Sequence, residues 1–206
     1  MNPVIAIDGP AAAGKGTLAR RIAQALGLPY LDTGLLYRAV ARCVLDAAGD
    51  PRDPATATAA ARALTPADLQ RHDLRGPIAD DAAASVAAIP GVRTALLDFQ
   101  RNFGATAGAV LDGRDIGTVI FPDAPVKLYV VATPAERARR RWAELQARGV
   151  AASLPEVEAD LRARDARDAP NMRRADDAVT LDTTALDADG AFAAAMEVVR
   201  TRLGRA

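Results

Sequence analysis

The sequence predicts an α/β fold around a central parallel sheet, and three observations carry that prediction. Short apolar runs alternate with helix-length amphipathic stretches. The first apolar run, Val4-Ile5-Ala6-Ile7, ends in a glycine-rich turn, and a helical pattern starts directly after it. That turn is Gly9-Pro10-Ala11-Ala12-Ala13-Gly14-Lys15-Gly16-Thr17. Gly-x4-Gly-Lys between a strand and a helix is a phosphate-binding pattern. Gly9 and Gly14 can take backbone angles closed to other residues, so successive N–H groups can turn inward around an anion. A helix starting near Lys15 adds the positive end of its dipole, and Lys15 adds a full charge. Thr17, one place later than usual because Gly16 intervenes, can offer a hydroxyl to a Mg²⁺ ion. The chain has only two lysines, Lys15 and Lys127, against 24 arginines, so bulk composition did not supply the lysine at this position.

Composition narrows the class further. With 206 residues the chain can bury a substantial core and carry one domain with a small appendage. Half the residues are apolar and the formal net charge is zero, so bulk charge suggests no nucleic-acid or membrane partner. The arginines therefore act through local clusters. Cys43 is the single cysteine, which excludes an intramolecular disulfide and a cysteine metal framework. The opening Met1-Asn2-Pro3-Val4 lacks a charged leader region, and no apolar run reaches the ~20 residues that span a bilayer. A cytoplasmic location is the expectation.

Taken in order, the elements read as follows. The first helix spans about 15–26 with Leu18, Ile22, Ala25 and Leu26 on one stripe and Gly27 as its stop. Leu28-Pro29-Tyr30-Leu31 is extended, and a second helix runs from Leu35 to about Ala48. Residues 52–108 are alanine-rich, with helices around 55–63, 66–71, 79–89 and 91–103. Strands follow at Ala109-Val110-Leu111 and Val126–Val131. Thr133-Pro134-Ala135-Glu136 and Ser153-Leu154-Pro155-Glu156 both start helices, with cap and third-position glutamate in place. Val179-Thr180-Leu181 is a last strand, and Phe192, Met196, Val199 and Leu203 mark the inner face of a closing helix. A phosphate loop on the first strand puts the ligand at the carboxyl ends of the strands.

Phosphoryl transfer also needs an acceptor site, with cations that hold a second anion in line. Three polar turns offer arginines: Asp32-Thr33-Gly34-Leu35-Leu36-Tyr37-Arg38, Pro90-Gly91-Val92-Arg93 with Ser85 upstream, and Asp112-Gly113-Arg114-Asp115-Ile116-Gly117-Thr118. Arginine suits that task because its planar fork grips phosphate bidentately. With these segments, Ile7-Asp8-Gly9-Pro10, Val86–Arg93 and Phe121-Pro122-Asp123-Ala124, the chain resembles the bacterial cytidylate kinase family over nearly its whole length. The Gly-Lys-Gly-Thr ending of the loop is similar to that of nucleoside monophosphate kinases.

The resemblance implies a P-loop NTPase-type three-layer fold with a helical acceptor-binding insert at about 52–108 and a helical lid at about 134–170. The core would then be about 1–51 and 109–206. It implies ATP as phosphoryl donor on Gly9–Thr17, Mg²⁺ as metal, and CMP or dCMP as acceptor. Thr33 matches a Ser or Thr position near the CMP, Arg38 and Arg93 match arginines that hold its phosphate, and Ser85, Arg114 and Asp115 match groups that read cytosine. A carboxylate or hydroxyl suits the cytosine amino group and an arginine fork its O2 and N3, whereas uracil would leave polar groups mismatched. Arg164 and Asp168 match the start of an Arg-Asp-x-x-Asp-x-x-Arg pattern that contacts phosphates and sugar. Lys15, Arg114, Asp115 and Arg164 are the expected catalytic set, and Arg137, Arg139, Arg140 and Arg141 resemble the lid.

Two departures stand out. Asn171 occupies the position of the pattern's last arginine, leaving Arg173 or Arg174 as replacements. Leu64–Asp80 is too short and turn-rich for the small three-stranded sheet of longer members. Asp112 reads either as an acid near the metal or as a turn cap, Thr33 either as a ligand group or as an N-cap, and Cys43 as a core residue. The remaining alternatives are another small P-loop kinase acting on UMP, AMP, dTMP or shikimate, a nucleotide switch without acceptor, and a weakly active family member.

Overall fold

The computed structural model describes residues 3–74 and 76–204; Met1 and Asn2, read above for a leader, lie outside it. Five strands are present among the described residues: β1 (Val4–Asp8), β2 (Tyr30–Asp32), β3 (Ala109–Gly113), β4 (Val126–Val131) and β5 (Val179–Asp182). They alternate with helices α1 (Lys15–Leu26), α2 (Thr33–Asp46), α3 (Pro54–Ala63), α4 (Pro77–Ala87), α5 (Pro90–Ala107), α6 (Pro134–Ala147), α7 (Leu154–Asp168) and α8 (Ala188–Arg202). Short 3₁₀ turns lie at Pro66–Gln70 and Ala169–Asn171, and a π-helical turn at Ile116–Ile120. The expected α/β class with a central parallel sheet is the one found.

The strand order is β2-β3-β1-β4-β5. β1 pairs in parallel with β3 from Val4–Ala109 to Asp8–Gly113, and with β4 from Ile5–Val126 to Asp8–Tyr129. The chain winds outward from β1 to β2, returns to β3 and then crosses to β4. Strand order therefore reverses at β1, and the crevice of such a sheet opens at the carboxyl ends there. Buried parallel strands need continuous apolar sequence, which Ile5-Ala6-Ile7 and Ala109-Val110-Leu111 provide, all fully buried.

The chain forms two compact units, Met1–Leu31 with Ala107–Ala206, and Asp32–Thr106. In the first, Leu18, Ala19, Ile22 and Ala23 of α1 and Ala195, Met196 and Val199 of α8 pack on Ile5, Ile7, Val110, Leu128 and Val130. The α1 stripe differs from the expected one in a single place: Ala25 is exposed and Ala19 with Ala23 takes the inner face. At 100° per residue the buried set centres between Leu18 and Ala23, roughly a quarter turn from Ala25. Helix ends follow their sequence signals. Gly14 (φ 90°) and Gly27 (φ 64°) bracket α1 in left-handed geometry. The Thr133 hydroxyl accepts from the Glu136 N–H, and Ser153 and Glu156 form a reciprocal capping box.

In the second unit, α2 packs against α4 and α3. It begins at Thr33, with Asp32 in the cap position, so Thr33 lies inside the first turn and does not cap it. Two arginines and two aspartates close a ring there. Arg42 pairs with Asp46 and Asp73 at 2.9 Å each, and Arg71 pairs with Asp46 at 2.7 Å and Asp73 at 2.8 Å. The ring ties the loop after Pro66–Gln70 to α2, and Leu74 is buried beyond it. Cys43 is half-buried, and burial raises its thiol pKa. His72 is exposed.

Gly9 sets how the loop leaves the sheet. Its φ is 140°, and a Cβ placed on it would lie 2.0 Å from the Val130 carbonyl oxygen. That atom is backbone inside a paired strand, so it cannot yield without parting β1 from β4. Gly9→Ala is therefore expected to lower unfolding stability by at least about 2 kcal/mol, from overpacking and backbone strain together. Urea unfolding read by circular dichroism measures it; a midpoint equal to that of the unsubstituted chain would contradict the close approach.

Candidate functional site

The phosphate-binding turn is built from strand, strained loop and helix in sequence. After Gly9, Ala12 holds φ at 58° and Gly14 at 90°, so the backbone curls instead of continuing β1. Alanine in this region is uncommon, and it persists because the turn is tied at both ends. The Ala11 carbonyl accepts from Arg137 Nη1 at 3.3 Å, and the Ala13 carbonyl accepts from Thr183 Oγ1 at 3.1 Å. Lys15 Nζ donates to the Pro10 carbonyl at 2.9 Å. Gly16 and exposed Thr17 follow in the first turn of α1.

Lys15 is only 6% exposed. Burial pushes its ammonium down to about 7; Arg114 and then Arg164 add repulsion, while Asp112 and Asp8 oppose it. Three cations from α1, the loop after β3 and α7 thus converge within the first unit. Each of the outer two is steered by a carboxylate. Arg114 Nε donates to Asp168 Oδ2 at 2.8 Å, and Arg164 Nε lies 3.9 Å from the same oxygen. Asp168 is one turn after Arg164 on α7, which is why the i, i+4 spacing brings both onto one side. Asp112, at the end of β3, is buried; Tyr30 donates to its Oδ1 at 2.9 Å, and its Oδ2 lies 3.8 Å from the position of a Cβ on Gly16. A hydroxyl on Thr17 and a carboxylate on Asp112 are hard oxygen donors of the kind that bind Mg²⁺ together with phosphates.

The loop that carries Arg114 and Asp115 is held by a residue the sequence did not single out. Asp8, 5% exposed, accepts the Ile116 and Gly117 N–H groups at 2.8 Å each through its two oxygens. Burial outweighs those bonds and raises its pKa to about 6. Lys127 reinforces the same loop: its stem lies 3.2 Å from a Cβ position on Gly117, its ammonium donates to the Pro122 carbonyl, and both Asp177 oxygens sit 2.9 Å away. Asp8 stands immediately before the loop motif, at a strand end. That position was the available signal.

The arginine-rich helix is more committed than its sequence suggests. Arg137 is buried and grips Asp165 at 3.0 and 2.6 Å as well as the Ala11 carbonyl. Arg140 donates to Glu136, to Thr183 Oγ1 at 2.9 Å and to the Thr183 and Leu186 carbonyls. Arg139 pairs with Glu136 and Arg141 with Glu144 on exposed surface. Of the two replacements for the arginine absent at Asn171, Arg174 donates to Thr180 Oγ1 at 3.1 Å, and Arg173 is exposed.

The remaining candidates belong to the second unit. Thr33 is buried in the first turn of α2. Gly34 is flanked by the Asp32 carboxylate and the Arg38 guanidinium, 3.1 and 3.2 Å from where a Cβ would stand. Arg93, one turn into α5, donates to Tyr37 Oη at 3.4 Å with its guanidinium 6.0 Å from the ring centroid. Ser85, on α4, donates to the Asp81 carbonyl at 3.3 Å. No strand lies in 64–80 among the described residues, in keeping with the compact insert. Also among the described residues, no cluster of three or more His, Cys, Asp or Glu side chains could hold a metal, and no single helix is long and apolar enough to cross a membrane.

Comparison with known proteins places this geometry in a family. A family model described as cytidylate kinase matches residues 5–201. A protein named cytidylate kinase from Granulibacter bethesdensis is 60% identical over 209 residues, covering 100% of both chains. One from Methylobacterium is 60% identical over 97% of both, and one from Acidiphilium cryptum 57% identical over 98% of this chain and 97% of its own. Among solved structures, TT1252 from Thermus thermophilus aligns with a TM-score of 0.53 at 22% identity over 98% of this chain and 99% of that one. An uncharacterized protein from Eubacterium ventriosum aligns with 0.58 at 13% identity over 99% and 100%. At those identities the likeness is one of fold.

The Asp8 clamp has a proton signature. Its pKa is raised from 3.8 to about 6 on folding, so the folded chain binds the proton more tightly. The linked stabilisation is fully present below about pH 3.8 and is lost as pH rises through about 6, on the order of 2–3 kcal/mol. Asp8→Asn removes that slope and leaves one buried N–H facing an amide donor. Unfolding free energies measured from pH 4 to 7 should therefore show the gap between variant and parent narrowing as pH rises; parallel curves would refute the assignment.

Proposed function

The chain belongs to the cytidylate kinase family, and from that premise we propose that it transfers the γ-phosphoryl group of ATP to CMP or dCMP, giving ADP and CDP or dCDP. The observation that carries the reading is the buried ammonium of Lys15 in a curled glycine loop, beside the guanidinium groups of Arg114 and Arg164. Such a cluster is unfavourable alone and favourable around a polyanion.

The acceptor phosphate is already an adequate nucleophile, so no covalent step or strong base is required. Catalysis rests on bringing two polyanions together, neutralising them and excluding water. Gly9–Thr17 would hold the donor phosphates on backbone N–H groups and the α1 dipole. Thr17 and Asp112 would hold Mg²⁺, which when bound supplies charge neutralisation on the phosphates. Lys15 leaves the Pro10 carbonyl for the transferring group, and phosphate negative charge restores its full protonation. Arg38 and Arg93, with Thr33, would grip the acceptor phosphate. Arg114, Asp115 and Ser85 would read cytosine, and Arg164 and Asp168 the sugar and phosphates. Arg114 enters that role pre-oriented by Asp168. The α6–α7 pair is the proposed lid, and the helical insert the proposed acceptor-binding element. The chain is proposed to act as a cytoplasmic monomer.

A coupled ADP-release assay with MgATP and CMP, dCMP, UMP, AMP, dTMP or shikimate tests this directly. Turnover with CMP and dCMP, little with UMP, and a loss of at least ~100-fold in kcat/KM for Arg114→Ala and Lys15→Met are expected, each variant losing on the order of 3 kcal/mol. Turnover centred on another acceptor would move the assignment to a different P-loop kinase. ATP binding with no turnover on any acceptor would favour the weakly active family member.

A further inference from the structure

Thr183 lies just past β5, outside every motif that defines the phosphate loop, yet it is 3% exposed and touches that loop. Its hydroxyl is within 3.1 Å of both the Ala13 and Val131 carbonyl oxygens, and Arg140 Nη1 approaches the same oxygen at 2.9 Å. An arginine only donates, so the hydroxyl lone pair faces Arg140 and its single proton is left for a carbonyl. Val131 already accepts the Thr183 backbone N–H at 2.8 Å. The hydroxyl proton is thereby best used on Ala13. Arg140 is itself fixed by Glu136 at 2.8 Å and by the Thr183 and Leu186 carbonyls, so the rotor has one favoured setting.

The consequence follows from peptide geometry. In a planar trans peptide the C=O and the N–H of the next residue point in opposite directions. Tying the Ala13 carbonyl toward Thr183 therefore aims the Gly14 N–H the other way. Arg137, on the Ala11 carbonyl, does the same for the Ala12 N–H. These two peptides lead into Ala12 and Gly14, two of the loop's positive-φ residues, and at Gly14 the missing Cβ leaves the backbone free to flip.

We propose that Thr183 is a positioning residue for the donor phosphates, whose hydroxyl holds the Ala13 carbonyl away from the anion and so presents the Gly14 N–H to it. The proposal rests on the reading of Gly9–Thr17 as the ATP phosphate site. Through Arg140, it also makes α6 part of the loop's support rather than only a source of phosphate ligands.

The test compares Thr183→Val, which keeps shape and deletes the hydroxyl, with Thr183→Ser, which keeps it. The valine variant should raise KM for ATP about fivefold to tenfold, the worth of one lost hydrogen bond, with KM for CMP within about twofold and serine restoring most of the effect. A KM for ATP unchanged by valine, an equal rise in both KM values, or serine as damaging as valine would each overturn the proposal. Should the valine chain not fold, Thr183→Ala carries the same comparison by deleting the hydroxyl without adding a methyl. Calorimetric titration of ATP without acceptor separates this from the function itself. A wrong acceptor leaves turnover absent but the difference in ATP affinity intact; a wrong role for Thr183 makes the valine and parent affinities equal.

Discussion

Positive charge held close together around a buried ammonium is the condition on which the rest of this structure depends. Lys15 is buried, with Arg114 and Arg164 near enough to lower its affinity for a proton. In a chain of zero net charge, such a concentration survives because carboxylates from separate elements are distributed around it. Asp112 comes from β3, Asp168 and Asp165 from α7, and Asp8 from β1. The Lys15 ammonium rests on the Pro10 carbonyl, and Asp112 and Asp8 act on it by their charge. The cluster thus keeps unspent attraction for an anion, while its neighbours are restrained well enough to cost little reorganisation when one arrives.

The same elements that supply charge also supply posture. Asp8 is valuable less for its negative charge than for its two acceptor oxygens, which fix the turn after β3 to the end of β1. Arg137 and Arg140, dense on one helix, spend their donors on loop carbonyls, Asp165 and Thr183. Charged side chains here behave as struts, and only some of them face a ligand. The π-helical turn at Ile116–Ile120 belongs to this scheme, since its wide backbone lets Asp115 O accept from Thr118, Val119 and Ile120 within one turn.

Much of this was legible in the order of residues. Strand–loop–helix at Val4–Leu26 could be read because periodicity, glycine placement and lysine agree there. The helix starts at Thr133 and Ser153 could be read because capping is local chemistry. The sequence pattern puts the α2 start two residues late, since Thr33 and Gly34 look like a cap and turn while the helix begins on Thr33. Ala25 reads as core because a stripe drawn through the leucines misses Ala19 and Ala23 on the true inner face. Thr183 and the clamping role of Asp8 left no periodic trace: their partners are 170 and 108 positions away, and only folding brings them together. The Arg42–Asp46–Arg71–Asp73 ring was hidden for the same reason, as loop residues gain meaning from the helix they meet.

The register of β1 bears on how the chain is made. Val4–Asp8 has no partner strand until Ala109–Val131 exists, roughly a hundred residues later and on the order of ten seconds of ribosomal synthesis. Asp32–Thr106 is contiguous and lies wholly within that interval, so its contacts are available first. The nascent molecule therefore carries an unpaired apolar strand and a bare phosphate loop while Asp32–Thr106 assembles. β1 gains its two neighbours when β3 and β4 form, whereas Arg164 and Asp168 of α7 and Thr183 past β5 reach the phosphate loop later still.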